Sequence, residues 1–432
     1  MRRLARTSLP LVAVVVAASA PAGAQTGPGP AVPVGFAVTP YAHTGGVTTS
    51  LAFGPDTRDP ESTRLYVAVF RPGEIRAIDD AGGVGAPAQV FASGFSSPLG
   101  VAVADDGTVF VSDSEGPREG PFGRRTYGRV WRVRDTDGDG VADQQEVVLK
   151  DLPNGRHNTN GMALGPDGML YVTNGNSTDD GVEGGDREVV PWTGAVVRVD
   201  PAATDVSLAD LMVNEALVAT GMRNLFDVAF SPFDPNDLFI PMNGADDARP
   251  EEEESPFGLK DSDDLLYRTD IADATRPGRG RGAGRPSRPV IDDFGFPSCL
   301  YNIARRGNLE PYDNPNPATI EQFGECPIDT VPRPLTSFGL HVSADGLAFQ
   351  TTDAWGEEFR NDLFVAEFGN FFGQEVVGHK VVRVELDDEG RSVSRLSDFL
   401  SGVTPLDVTF DEEGAMYVAD FTGAIVKVTR AA

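Results

Sequence analysis

The sequence predicts an all-β fold, a six-bladed β-propeller with a long loop insertion in the region of the fourth and fifth blades. Three observations predict it. One phrase, an apolar strand, a turn rich in Pro, Asp and Gly, and a second strand reading aliphatic-aromatic-aliphatic, recurs six times. Asp-Gly turns join these short runs, and almost no stretch keeps a helical period. Six such meanders suit radial closure, which protects the edges that open sheets expose.

Taken in order, the copies are SLAFGPDTRDPESTRLYV (50–67), GVAVADDGTVFV (100–111), GMALGPDGMLYV (161–172), DVAFSPFDPNDLFI (227–240), GLAFQTTDAWGEEFRNDLFV (346–365) and DVTFDEEGAMYV (407–418). Third strands follow most of them: GEIRAI, GRVWRV, GAVVRV, GHKVVRV and GAIVKV. The opening GFAVTPYA (35–42) is expected as an outer strand. We place the propeller at 35–430, behind a flexible linker at 25–34. The second strands begin at 65, 109, 170, 238, 363 and 416, so an insertion is expected at about 245–335. It holds the acid run Glu251–Glu254, the Gly/Arg/Pro stretch 276–289 and both cysteines. A β-sandwich pair or a solenoid is the alternative architecture.

Residues 1–24, Met-Arg-Arg followed by an apolar run from Leu9 to Ala18 and small residues to Ala24, read as a signal peptide. The chain is therefore expected to be secreted or periplasmic. No later segment approaches the ~18 consecutive apolar residues of a membrane span. Without residues 1–24 the chain carries 33 basic against 65 acidic residues, a formal balance of −32. Such a surface repels nucleic acid and anionic lipid, and favours cations and neutral small molecules. In an oxidising compartment Cys299 and Cys326 are expected to pair, two separate buried thiols being the alternative.

In a propeller the residues just before each innermost strand sit at the channel mouth. Four positions before Ser50, Gly100, Gly161, Asp227, Gly346 and Asp407 stand Gly46, Ser96, His157, Arg223, Val342 and Val403, with His341 one residue further back. An imidazole near neutrality suits proton abstraction, and a guanidinium holds a carboxylate or polarises a carbonyl. The alternative for His157 and His341 is a loop histidine hydrogen-bonded to backbone. A separate stretch, DTDGDGVADQQE (135–146), sets Asp135, Asp137, Asp139, Val141 through its carbonyl, Asp143 and Glu146 at the spacing of a Ca²⁺ loop. Its flanks read as strands, which predicts a structural ion site; a plain Asp/Gly hairpin is the alternative.

GRHNTNGMALGPDGMLYVTNGN, TGMRNLFDVAFSPFDPNDLFIPMNGADD, DDFGFPSC, HVSADGLAF and NDLFVAEFGNFFGQEVVGHKVVRVEL together resemble the glucose/sorbosone dehydrogenase family, soluble sugar dehydrogenases that use pyrroloquinoline quinone (PQQ) on a six-bladed propeller. The resemblance implies a Ca²⁺-held quinone over the mouth, a sugar or polyol substrate and an external electron acceptor. It implies His157 as the base, Arg223 and Asn224 as cofactor contacts, and the main-chain carbonyls of Gly244 and Ala245 as Ca²⁺ ligands; His341, from its position before the fifth inner strand, is a further candidate cofactor-binding residue. Three cationic positions of the glucose-type enzymes read here as Gly369, Thr404 and Leu406; His379, Lys380 and Arg383 are candidate substitutes. A metal-dependent lactonase-like hydrolase, with Asp227 and Asp407 at inner-strand starts, and a non-catalytic glycan- or protein-binding propeller are the alternative functions.

Overall fold

The computed structural model describes residues 29–431 apart from 121–122, 180, 183–188, 246–260, 273–290 and 371–375. The expected signal peptide, residues 25–28 of the expected linker, Glu251–Glu254 and the stretch 276–289 lie outside the described residues. Six sheets form six blades. Blade 1 runs Thr48–Asp56, Asp59–Val69, Glu74–Asp79, Gln89–Ser93 from inside to outside. Blade 2 runs Pro98–Val103, Val109–Gly120, Gly123–Arg134, Gln144–Pro153, and blade 3 Thr159–Leu164, Leu170–Asn174, Ala195–Val199, Leu217–Thr220. Blade 4 is Asn224–Leu225 with Ala229–Phe230, then Asp237–Asn243, Asp264–Asp270 and Thr336–Gly339. Blade 5 is Ala344–Phe349, Leu363–Glu367, Lys380–Leu386, Val393–Ser401.

Blade 6 takes Pro405–Phe410, Met416–Asp420 and Ala424–Arg430 from the C-terminal end and its outer strand, Phe36–His43, from the N-terminal end. The ring is thus latched by its two ends. Phe36 sits edge-on to Trp355, Phe359 and Phe399 at 4.9, 5.1 and 5.0 Å, joining the latch to the core between blades 5 and 6. Ala31 in the expected linker is also held, exchanging backbone hydrogen bonds with Ser401.

The recurring turns explain the repeated phrase. In GPDG, Gly168 donates to the Gly165 carbonyl at 2.9 Å with φ +78°, a conformation that disfavours any Cβ. Asp167 accepts from the Met169 amide and the Tyr171 hydroxyl, so the acid of the turn also seats the aromatic of the second strand. Asp411 and Tyr417 repeat that bond in blade 6.

The insertion is two segments, because Asp264–Asp270 within it is the third strand of blade 4, with Leu265 and Leu266 fully buried. After that strand, Asp292–Asp293 adds in parallel to blade 3, and Cys299–Leu300 pairs with Tyr312–Asp313. Cys299 and Cys326 form a disulfide.

At the axis, a cavity of about 290 Å³ is lined from the inner strands by Ser50, Met162, Asp227, Leu347 and Asp407 among others. On the inner strands of blades 3 to 6, Gly161, Asp227, Gly346 and Asp407 alternate glycine with acid for a steric reason. Asp227 accepts the Leu347 amide of blade 5, and Asp407 accepts the Leu51 amide of blade 1 at 2.7 Å. A Cβ on Gly161 or Gly346 would run into these same carboxylates. The two acids therefore clamp neighbouring blades; burial raises both pKa values, and the Asp407 charge adds to the rise at Asp227.

Candidate functional site

His157 lies in the loop between the last strand of blade 2 and the first of blade 3, at the mouth. Three backbone segments hold that loop: Arg156 and His157 donate to the Ser177 and Asn176 carbonyls at 2.9 and 3.2 Å, and Asn176 in turn donates to the Arg223 carbonyl at 2.6 Å. Gly175 is required by this closeness, since a Cβ there would stand 2.5 Å from the His157 Cβ and 2.9 Å from Asn224 Oδ1. His157, Arg223 and Asn224 are thus brought together as expected.

The imidazole is oriented. Nδ1 lies 2.8 Å from the Asn176 carbonyl oxygen, which can only accept, so Nδ1 carries the proton and Nε2 presents a lone pair. Among the described residues nothing hydrogen-bonds Nε2. Burial, then the charges of Arg223 and Arg156, holds the ring well below the ordinary histidine value, with Asp179 opposing them. At neutral pH His157 is a neutral, directed base.

Arg223 is more occupied than its sequence position suggests. It is 5% exposed; its guanidinium pairs with the Asp179 carboxylate, Nε donates to the Asp179 carbonyl at 2.9 Å, and Nη1 to the Asn243 carbonyl at 3.2 Å. Asn224 Oδ1 accepts from Asn160 at 3.1 Å. Asp179, Asn176 and Gly175 escaped sequence reasoning because they follow the second strand of blade 3, where the six copies share no phrase.

From Arg223 the network continues to the second part of the mouth. Gly244 donates to Asp264 Oδ1 at 2.6 Å, and Ser343 to Asp264 Oδ2 at 2.7 Å. Burial pushes Asp264 up to about 6 against the pull of these amides, Arg223 and His341. His341 and Ser343 both adopt positive φ, 61° and 50°, and His341 Nε2 is 3.8 Å from Asp261. Such strain in non-glycine residues is held by its surroundings and gathers at functional sites. The Ala245 carbonyl accepts from Ser262 at 3.0 Å. Asn243 Oδ1 is buried with no hydrogen-bond partner among the described residues, its Nδ2 being fixed on Asp345 and Ser343.

The remaining expected residues lie elsewhere. Asp135, Asp137 and Asp139 gather with carboxylate oxygens within 4.8 Å of one another, but at the other end of blade 2. The strand Gln144–Pro153 separates that loop from His157, roughly 30 Å at 3.3 Å per residue. Asp143 accepts from Thr136 within the loop. Glu146, the expected sixth position, does not join the group: it falls on a strand, opposite Arg132, and its carboxylate binds that guanidinium at 2.5 Å. Val141 donates its amide to Asp139 at 2.8 Å.

Among the substitutes for the three cationic positions, Lys380 binds Asp398 at 2.6 Å and Arg383 binds Asp362 at 2.5 Å while lying over the Phe359 ring. Neither replaces the missing charge. His379 alone packs against Gly369, filling the space a side chain there would need. Thr404 donates to Asp420, and Leu406 is buried.

With this geometry, likeness to known proteins can be placed. A family model described as a domain of unknown function (DUF7133) matches residues 71–216. An uncharacterised Borreliella burgdorferi protein is 22% identical over 227 residues, 50% of this chain; the match spans about half, 48%, of that protein's length. A calcium structure of a Trichoderma reesei carbohydrate-active enzyme of family AA12 matches with TM-score 0.66 at 17% identity, covering 94% of this chain and 98% of that one. The holo form of the pyranose dehydrogenase PQQ domain from Coprinopsis cinerea matches with TM-score 0.66 at 15% identity, covering 93% and 97%. A PQQ-bound aldose sugar dehydrogenase from Streptomyces coelicolor matches with TM-score 0.55 at 16% identity, covering 92% and 99%. The chain shares the six-bladed propeller of the sugar dehydrogenases that its motifs resemble, and at these identities the likeness is one of fold.

Proposed function

We propose that the chain is an exported, PQQ-dependent sugar dehydrogenase with His157 as its general base. The observation that carries this reading is the directed imidazole: Nδ1–H fixed on the Asn176 carbonyl, Nε2 left as an acceptor, and positive charge next to it. A sugar's anomeric hydroxyl can give its proton to Nε2, while the positive charge of Arg156 and Arg223 favours the anionic character that develops on the oxygen. Because the ring's pKa is lowered, protonated His157 gives up its proton to solvent more readily than an ordinary imidazolium.

The described residues on the side of blades 3 and 4 fit the implied groups. Arg223 and Asn224 would hold the quinone. Asn243 Oδ1, unpartnered among the described residues, is a buried acceptor that suits a hard cation such as Ca²⁺, and the Gly244 carbonyl follows it in the chain. The quinone, when bound, supplies the two-electron acceptor for the hydride, and an external acceptor reoxidises it. The acidic loop at Asp135, Asp137 and Asp139, on the far face, is proposed as a separate structural Ca²⁺ site. Asp227 and Asp407 serve as blade clamps, which favours the dehydrogenase over a hydrolase using those carboxylates.

The test is His157→Ala with PQQ, Ca²⁺ and an aldose. Cofactor-dependent dye reduction is expected to fall at least 100-fold, as loss of a general base does, at unchanged melting temperature. Turnover equal to that of the parent would remove His157 from the mechanism.

A further inference from the structure

Arg156, next to the base, makes no ion pair shorter than 3.7 Å among the described residues. Its backbone is fixed by the Ser177 carbonyl, and Gly155 before it packs so closely that a Cβ would stand 2.6 Å from the Ser177 Cα. The backbone that carries the side chain is therefore held in place. The side chain is 27% exposed, and its one ion pair among the described residues is a 3.7 Å approach to Asp179, whose carboxylate already binds Arg223. Two guanidiniums share one carboxylate beside an otherwise neutral imidazole. In a chain with almost twice as many acids as bases, two guanidiniums on one carboxylate among the described residues stand out, and a partly exposed guanidinium is the group that recognises a planar carboxylate through two parallel bonds.

We infer that Arg156 is a carboxylate-binding residue of the mouth, taking either a carboxylate of the quinone or that of an acidic sugar such as a uronic acid. The inference rests on the dehydrogenase reading for the first source and stands apart from it for the second. A carboxylate on Arg156 would complete the charge balance that Asp179 leaves open, and would place the bound molecule directly beside His157.

The experiment compares the parent and Arg156→Gln by calorimetry, after melting curves confirm both are folded, using PQQ with Ca²⁺ in one arm and D-glucuronate against D-glucose in the other. Losing a charge-assisted pair is expected to weaken binding roughly 10- to 100-fold. Weaker PQQ binding in the variant assigns Arg156 to the cofactor. Unchanged PQQ binding with loss of a preference for glucuronate over glucose assigns it to the substrate, and Arg156→Lys should then restore part of that preference. Equal behaviour of parent and variant in both arms overturns the inference. If the parent takes no PQQ, the dehydrogenase reading fails, and the inference is decided by the glucuronate arm alone.

Discussion

At the residue scale, the proposed chemistry depends on holding one imidazole neutral and aimed. Because burial and the charges of Arg223 and Arg156 depress the His157 pKa below 6.5, the acid limb of kcat/KM should fall below pH 6.5, with a plateau above it. A limb at or above pH 6.5 would mean that Asp179 outweighs the two arginines. Gly175 tests the positioning: Gly175→Ala puts a methyl 2.5 Å from the His157 Cβ, so turnover should drop about 100-fold, the effect of a displacement near 1 Å. Retained turnover would show that the loop can yield. His157, Arg223 and Asn224 were legible because blades repeat, and counting back from each inner strand finds the mouth. Asp179 and Asn176 were not, since their role comes from a return loop packing on another blade. Glu146 falls outside the acidic group for a related reason: ligand spacing runs along the chain, whereas the strand Gln144–Pro153 turns every second side chain to one face and sets Glu146 against Arg132.

At the element scale, the latch of blade 6 and the acidic hairpin of blade 2 are separable units. Phe36→Ala removes three edge-on aromatic contacts from a partly buried site and should lower unfolding stability by about 2 kcal/mol, read from denaturant curves. No loss would mean that Phe36–His43 is held by its backbone pairing alone. Adding Ca²⁺ should raise the melting temperature, and Asp137→Ala should remove most of that rise if the hairpin is the structural ion site; an unchanged rise would place the ion elsewhere. Five of the third strands were visible in the sequence because a glycine leads each into an alternating run. Asp264–Asp270 was hidden because its lead-in is the insertion, and DLLYRTD carries its three apolar residues consecutively. The division of the insertion was therefore invisible until the strand was seen paired with Asp237–Asn243.

At the scale of the whole molecule, the axis of the ring stores protons. Burial raises the carboxyl groups of Asp227, Asp345 and Asp407, and pushes Glu367 up to about 7. The folded chain keeps protons that the unfolded chain releases above its ordinary carboxylate range. These groups therefore contribute stability that is full at low pH and is lost as pH rises through their folded values. His157 has the opposite sign, its contribution being lost as pH falls below 6.5, but it is one group against four. The melting temperature of metal-free protein should accordingly be higher at about pH 5 than at about pH 8, and the reverse order would show these acids ionised in the folded state. The fold was legible because radial repetition imposes the same phrase on every blade, whereas the alternation of Asp227 and Asp407 with Gly161 and Gly346 emerges only when the ring closes. The proposal that the mouth holds a quinone beside His157 stands or falls on a titration of the purified protein with PQQ in Ca²⁺, following the quinone's absorbance. The account predicts saturation at one quinone per chain; no binding would contradict it.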